Sequence, residues 1–207
     1  GLKAEYYHGA LQSRTRDNVQ DQFMSGDLPI VVATNAFGMG IDRPDVRLVL
    51  HHSMPGSLEA YYQEAGRAGR DGLPARATLL YSAADVGLQE YLIESNTPTS
   101  DELHRAARLM QAETIGSAEI AQRLDISEIK ARVLTELLLS IGGADTADAR
   151  AIGSLARQVE RRREHKRALL RIMAQYAQTE DCRRTLGLHY FGDASPADAP
   201  VCCDVCE

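Results

Sequence analysis

The chain has 207 residues, 44% hydrophobic and 25% charged, with 5% aromatic residues and no Trp. That composition excludes a low-complexity or disordered chain, and no run approaches the roughly 18 apolar residues of a membrane-spanning helix. The net charge of −6 excludes a uniformly basic nucleic-acid coat, yet residues 151–185 hold 9 basic against 4 acidic side chains, so positive charge is concentrated in one block.

The opening Gly1-Leu2-Lys3-Ala4-Glu5 has no apolar signal core, which predicts a cytoplasmic protein, nucleoid-associated if bacterial, with no membrane partner. The first ninety-odd residues switch between two hydrophobic periods. A strand is predicted from Ala4 to Tyr7, then a helix capped by Ser13, running to about Met24 and stopped by Gly26. The β-branched run from Ile30 to Thr34 predicts a buried strand, and Val46 to His51 another. Ser57 caps a second helix from Leu58. A strand from Ala77 to Tyr81 and a helix from about Ala84 to Ile93 follow. Such interleaving predicts an α/β layer on a mostly parallel sheet. Asn96-Thr97-Pro98-Thr99-Ser100 marks a first boundary. Residues 101–140 read as helical, the polar stretch from Ala144 to Arg150 marks a second boundary, and one long helix runs from Leu155 to about Tyr176. The expected parts are therefore 1–96, 100–150 and 151–207.

Two stretches of the first part carry chemistry. Ile30 to Asp42 is a strand running into a small-residue loop, where open α/β sheets place their ligands. Gly38 and Gly40 let backbone approach a ligand, Thr34 offers a hydroxyl, and Asp42 a carboxylate for a ribose or an arginine. A tight connection with glycines for geometry explains the same letters. In the second stretch, Gln63, Arg67 and Arg70 are spaced i, i+4, i+7, within roughly 60° on a helix. Gly66 and Gly69 would each cost that helix about 1 kcal/mol relative to Ala. Two aligned guanidiniums suit phosphate, in the manner of an arginine finger. The alternative is a solvated face with the glycines as a helix stop.

These tracts resemble the fifth and sixth motifs of superfamily 2 helicases. Ala36-Phe37-Gly38-Met39-Gly40-Ile41-Asp42, and Ser57 to Glu64 leading into the arginines, are similar to RecQ-type DNA helicases; Tyr7-His8-Gly9-Ala10-Leu11 matches that family's tyrosine-histidine turn with alanine in place of glycine. The resemblance implies a second RecA-like motor lobe. Arg67 and Arg70, with Gln63, would reach ATP and its Mg²⁺ on a first RecA-like lobe. Gly38, Gly40 and Asp42 would serve the nucleotide, and His8 and Thr34 the DNA. No Gly-x-x-x-x-Gly-Lys-Ser/Thr phosphate loop occurs in the sequence. The expectation is the C-terminal part of an ATP-dependent 3′-to-5′ DNA helicase of repair and recombination, with this segment inactive as an ATPase by itself. A non-catalytic DNA-binding or regulatory module derived from a helicase, or an RNA helicase of superfamily 2, are the rival readings.

Cys182, Cys202, Cys203 and Cys206 form a C-x₁₉-C-C-x₂-C array. Four thiolates suit structural Zn²⁺, with His189 a reserve ligand should one of the adjacent cysteines stay free. Together with Tyr190-Phe191-Gly192-Asp193, the array resembles the RecQ zinc-binding subdomain, which implies one structural zinc per chain holding a platform that carries Arg161, Arg162, Arg163, Lys166, Arg167 and Arg171. Arg161, Arg162 and Lys166 are the chosen DNA contacts; a solvated face partnered by Glu160 and Glu164 is the alternative. Between the two tracts, Ser117 to Leu124, a turn at Asp125-Ile126, and a helix capped by Ser127 read as a helix-turn-helix. Its second helix offers outward only Lys130 and Arg132 against Glu128 and Glu136, which favours a structural or protein-docking insert over a DNA reader. His51 and His52 receive no catalytic role. The fold class expected is thus α/β, a RecA-like parallel-sheet lobe followed by an all-α helix-turn-helix insert and a helical zinc-binding subdomain.

Overall fold

The computed structural model describes residues 1–38, 41–142, 149–193 and 202–206. Met39 and Gly40 of the predicted loop lie outside the described residues. The chain divides into two compact units, the first comprising Gly1–His51 and Glu59–Thr78, the second His52–Leu58 and Leu79–Glu207.

In the first unit, β1 (Ala4–Tyr7) and β2 (Ile30–Ala33) pair in parallel, Ala4 beside Ile30 and Tyr7 beside Ala33. The crossover is α1 (Ser13–Ser25). Ser13 is its first residue rather than its cap; Gln12 holds the cap position without a side-chain bond. The helix stops as predicted at Gly26, whose φ of 89° lies in the left-handed region that glycine tolerates. Tyr7, Val19 and Leu28 are buried between helix and strands, with Phe23, Val31 and Phe37 against them. The Phe37 ring meets Tyr7 and Phe23 edge-on at 4.8 and 5.5 Å. The second strand pair is β3 (Leu48–His51) with β4 (Arg76–Leu79), and α2 (Leu58–Ala65) lies between them in sequence.

The strand expected to be buried is not. Val32 is 66% exposed, and Tyr6, beside it in register, and Leu48 and Leu50 are exposed too. Period-2 alternation sends every second side chain to the outer face, and no layer covers that face among the described residues. An apolar strand sequence reports suitability for burial, not its presence.

The second unit is helical: α3 (Ala83–Asn96), α4 (Ser100–Ala112), α5 (Ser117–Leu124), α6 (Glu128–Ser140), α7 (Ala149–Gln178) and α8 (Arg183–Tyr190). Local chemistry sets the helix starts. The Ser82 hydroxyl accepts from Ala84 N–H, Thr99 and Glu102 close a reciprocal capping box, and Ser127 Oγ accepts from Lys130 N–H. The turn between α5 and α6 is made by Asp125, at φ 53°. Leu103, Ile120, Leu134 and Leu138 are wholly buried, and Ile152, Leu155 and Ala156 of α7 join the same core. The helix-turn-helix and the long helix are thus one hydrophobic structure. Thr97 and Pro98, read as a boundary, are buried at the joint between α3 and α4. Among the described residues no helix is long and apolar enough to cross a membrane.

Candidate functional site

The glycine loop and the arginine segment come together in the first unit, by a geometry that differs from the predicted one. α2 ends at Ala65, and residues 66–72 are turns. Gln63, Arg67 and Arg70 therefore do not share a helix face. Gly66 stops the helix: a Cβ there would lie 2.9 Å from the Tyr62 carbonyl oxygen. Gly69, at φ 68°, turns the chain where a Cβ would meet the Ala75 side chain and the Leu73 carbonyl, both at 3.0 Å. Of the two readings of the glycines, the helix stop is the one found. Gln63 remains on α2, exposed.

The turn is laid along the loop that follows β2. Arg67 Nη1 donates to the Gly38 carbonyl at 2.7 Å, and a Cβ on Gly38 would lie 2.7 Å from the same guanidinium. Arg70 Nη1 pairs with Asp42 Oδ1 at 2.5 Å, both side chains exposed. Backbone bonds run from Gly69 N–H to Val46 O and from Asp71 N–H to Pro44 O. Arg47 pairs with Asp71 and donates to the Pro74 carbonyl. Arg43, unremarked in the sequence, anchors the loop from its other side. It donates to the Phe23 carbonyl at 2.7 Å, lies over the Phe23 ring, and is paired with Asp45, whose carboxylate raises its pKa. The Arg43-Pro44-Asp45 spacing was the available signal. Beneath the turn, buried His51 Nε2 meets Glu64 Oε2 at 2.8 Å, and the Glu64 carbonyl accepts from Arg67 N–H.

His8 and Thr34 follow the paired strand ends Tyr7 and Ala33, so the parallel register brings them to one edge. The His8 ring stacks on Tyr6, and Thr34 N–H donates to the Tyr7 carbonyl. Asp101-Glu102-Leu103-His104 carries the letters of an Asp-Glu-x-His magnesium motif, but these residues form the first turn of α4. There Glu102 closes the capping box and accepts from Lys130.

In the second unit the four cysteines converge. Their sulfurs lie within 4.8 Å of one another, with Cys182–Cys202 at 3.3 Å, Cys203–Cys206 at 3.5 Å and Cys202–Cys206 at 3.8 Å. These separations are too long for disulfides and close to the roughly 3.8 Å between sulfurs of a tetrahedral zinc site. Both adjacent cysteines belong to the cluster; His189 does not. The Cys182 thiol is drawn down to about 6 by hydrogen bonds from the Thr185 hydroxyl and backbone, whereas the Cys206 thiol is pushed up to about 12 by the thiols of Cys203 and Cys182. Sulfurs this close cannot all ionise without a cation among them, so the donor set fits a divalent thiophilic metal. Arg183 locks the frame. It holds Asp204 at 2.7 and 2.9 Å and donates to the Tyr176 carbonyl at 2.6 Å, tying residues 202–206 to the end of α7. The pairing depresses the Asp204 pKa.

The basic run of α7 is split by its partners. Arg163 and Arg167 both pair with Glu94 of α3, and Arg163 also with Glu160. Arg161, Arg162, Lys166 and Arg171 are exposed and have no ion-pair partner among the described residues. On α6, Lys130 is 9% exposed and donates to Glu102 at 3.0 Å, so the expectation that it faces outward is corrected.

Comparison with known proteins agrees with this geometry. Residues 1–72 match the helicase conserved C-terminal domain, and residues 144–207 match the RecQ zinc-binding family. The probable ATP-dependent DNA helicase RecS of Bacillus subtilis is 31% identical over 99% of this chain and 41% of its own length. ATP-dependent DNA helicase RecQ of the same organism is 48% identical over 46% of this chain and 16% of its own, and the RecQ-like DNA helicase blm-1 of Caenorhabditis elegans 50% identical over 48% and 10%. The chain thus spans less than half the length of these relatives. The two family matches, with the similarity to RecS along nearly the whole chain, place it in the RecQ family as a C-terminal helicase and zinc-binding region.

Proposed function

We propose that the chain supplies the second RecA-like motor lobe and the zinc-binding region of an ATP-dependent, 3′-to-5′ DNA-unwinding helicase of DNA repair and recombination, acting in the cytoplasm or at the nucleoid. In this reading residues 1–96 are the lobe, 100–150 a helical insert that contacts another protein surface, and 151–207 the zinc-binding subdomain. The observation that carries it is the arginine turn resting on the glycine loop, with Arg70 held by a carboxylate that is itself exposed. An exposed pair of this kind is worth about 0–1 kcal/mol, so a polyphosphate displaces Asp42 readily. A guanidinium placed on a transferring phosphoryl group is worth about 10³–10⁵ in rate.

ATP and Mg²⁺ would be held by a first RecA-like lobe bearing the phosphate loop. Arg67 and Arg70 complete that site, and Gln63 on α2 is the third residue assigned to it. Gly38, Gly40 and Asp42 carry the arginines' movement into the loop. His8 and Thr34 at the strand edge, and Arg161, Arg162 and Lys166 on α7, take the DNA backbone. Zinc, one per chain, is bound by Cys182, Cys202, Cys203 and Cys206. With four protein ligands it has no open position for a nucleophilic water, so its role is structural.

The test uses the intact helicase. Arg67→Ala and Arg70→Ala are each expected to lower DNA-stimulated ATP turnover by about 10³-fold while ATP binding changes little. Turnover that survives both substitutions would remove the arginines from the reaction and leave the non-catalytic module as the better description. Residues 1–207 alone are expected to bind DNA without hydrolysing ATP.

A further inference from the structure

The outward face of α6 is exposed and combines aliphatic with charged side chains. Six of its side chains are exposed, Glu128, Ile129, Arg132, Glu136, Leu139 and Ser140, and the inner four, Ile129, Arg132, Glu136 and Leu139, form the stripe that points away from the shared core. At 100° per residue they span an arc of about 80°, opposite Leu134, which is fully buried. Ile129 is 61% and Leu139 58% exposed, at opposite ends of the 13-residue helix. Lys130, the cation a DNA reader would use, is turned inward onto Glu102.

The order of these four residues reads symmetrically about position 134. Ile129 and Leu139 stand five residues to either side of it, Arg132 and Glu136 two. A second α6 laid antiparallel across the first, centred on 134, therefore sets matching heights against each other. Ile129 meets Leu139 of the partner subunit, and Arg132 meets Glu136 of the partner subunit. Each contact occurs twice.

We propose that this face is the two-fold contact of a homodimer, formed by antiparallel pairing of α6 with its copy. Such an interface is isologous: one patch serves both subunits and must be complementary to itself. The stripe carries one cation, one anion and two aliphatics in this order, with Glu128 and Ser140 flanking it at matching heights, and meets that condition. It is also the reason for choosing a second copy over an unrelated protein, because the charge complement is already present in the same helix. At the usual helix spacing of about 8–10 Å the four side chains interdigitate. One short helix per subunit buries less than the roughly 1,200 Å² of a standard interface, so the dimer is weak, with Kd on the order of 10–100 μM. The proposal rests on reading residues 100–150 as a protein-contact element and is independent of the motor assignment.

Sedimentation velocity of the 207-residue chain from about 5 to 500 μM, bracketing the Kd range above, is the test, without nucleotide or DNA. Mass is expected to double with concentration. Arg132→Glu and Glu136→Arg each set like charges opposite one another twice and should weaken dimerisation about tenfold or more, while the double variant R132E/E136R restores the pairing to within about threefold of the parent. Ile129→Asp, or Leu139→Asp should the first fold poorly, is expected to give a monomer. Circular dichroism checks that α6 is intact in each variant. A chain monomeric at every concentration overturns the pairing, as does a dimer indifferent to these substitutions or a double variant no tighter than the singles. Crosslinking of the α6 face to duplex DNA would overturn both this and the protein-contact reading beneath it.

Discussion

Two ion pairs hold the two regions that matter, and they are built oppositely. In the helical unit Lys130 reaches Glu102 with their side chains 11% and 16% exposed, and the same carboxylate closes the capping box of α4. In the α/β unit Arg70 reaches Asp42 with 39% and 82% exposed. The first pair is a fixture, since separating it leaves an uncompensated charge in the interior. The second sits where water and salt screen it, so its guanidinium is available to another anion. The cysteine cluster belongs with the first kind and the arginine turn with the second. One unit is organised to stay as it is, the other to exchange partners.

Chelation should separate the regions most sharply. Removing zinc with a chelator is expected to lower the stability of the helical unit by several kcal/mol, loosening residues 183–193 and 202–206 first, while amide exchange in residues 1–38 is unchanged. Metal binding releases thiol protons, so affinity falls as pH is lowered. Uniform destabilisation of both units would erase the contrast. Next in size, Lys130→Met should cost about 3 kcal/mol in urea unfolding, with K130M/E102Q recovering most of it. Gly69→Ala forces φ 68° on a residue with a Cβ and should cost about 1–2 kcal/mol. Gly87→Ala on α3, where a Cβ would meet open space, should instead add about 0.5–1 kcal/mol. Smallest of all, Arg70→Ala is expected to change stability by less than about 1 kcal/mol. A loss as large as that of Lys130→Met would make the arginine turn a second fixture and break the comparison.

Much of this was legible beforehand, and the failures have physical causes. Alternating periods placed the strands and most helices within a few residues, the long helix excepted, which begins at Ala149 and not Leu155, and cysteine spacing pointed to one cluster, because both signals are local. The i, i+4, i+7 spacing favours one helix face for Arg67 and Arg70, with the glycines as a helix stop as the alternative; α2 does end before Gly66, and spacing by itself cannot choose between the two. Lys130 looked outward because a lysine on an amphipathic helix ordinarily is; the Glu102 that draws it inward lies on another helix. Thr97-Pro98 carried the composition of a linker but is packed, since a proline can make a rigid joint as well as a loose one.

Glu94 has a consequence for how the long helix would be counted in solution. Glu94 holds Arg167 and shares Arg163 with Glu160, so two of the six cations of the basic run are paired and four stay exposed without an ion-pair partner among the described residues. If the helix grips duplex phosphates, the logarithmic dependence of affinity on salt would therefore have a slope of about −3.6 from this run rather than about −5.4. Neutralising Glu94 would free Arg167 while Glu160 keeps Arg163, steepening the slope by about 0.9 with no positive charge added to the chain.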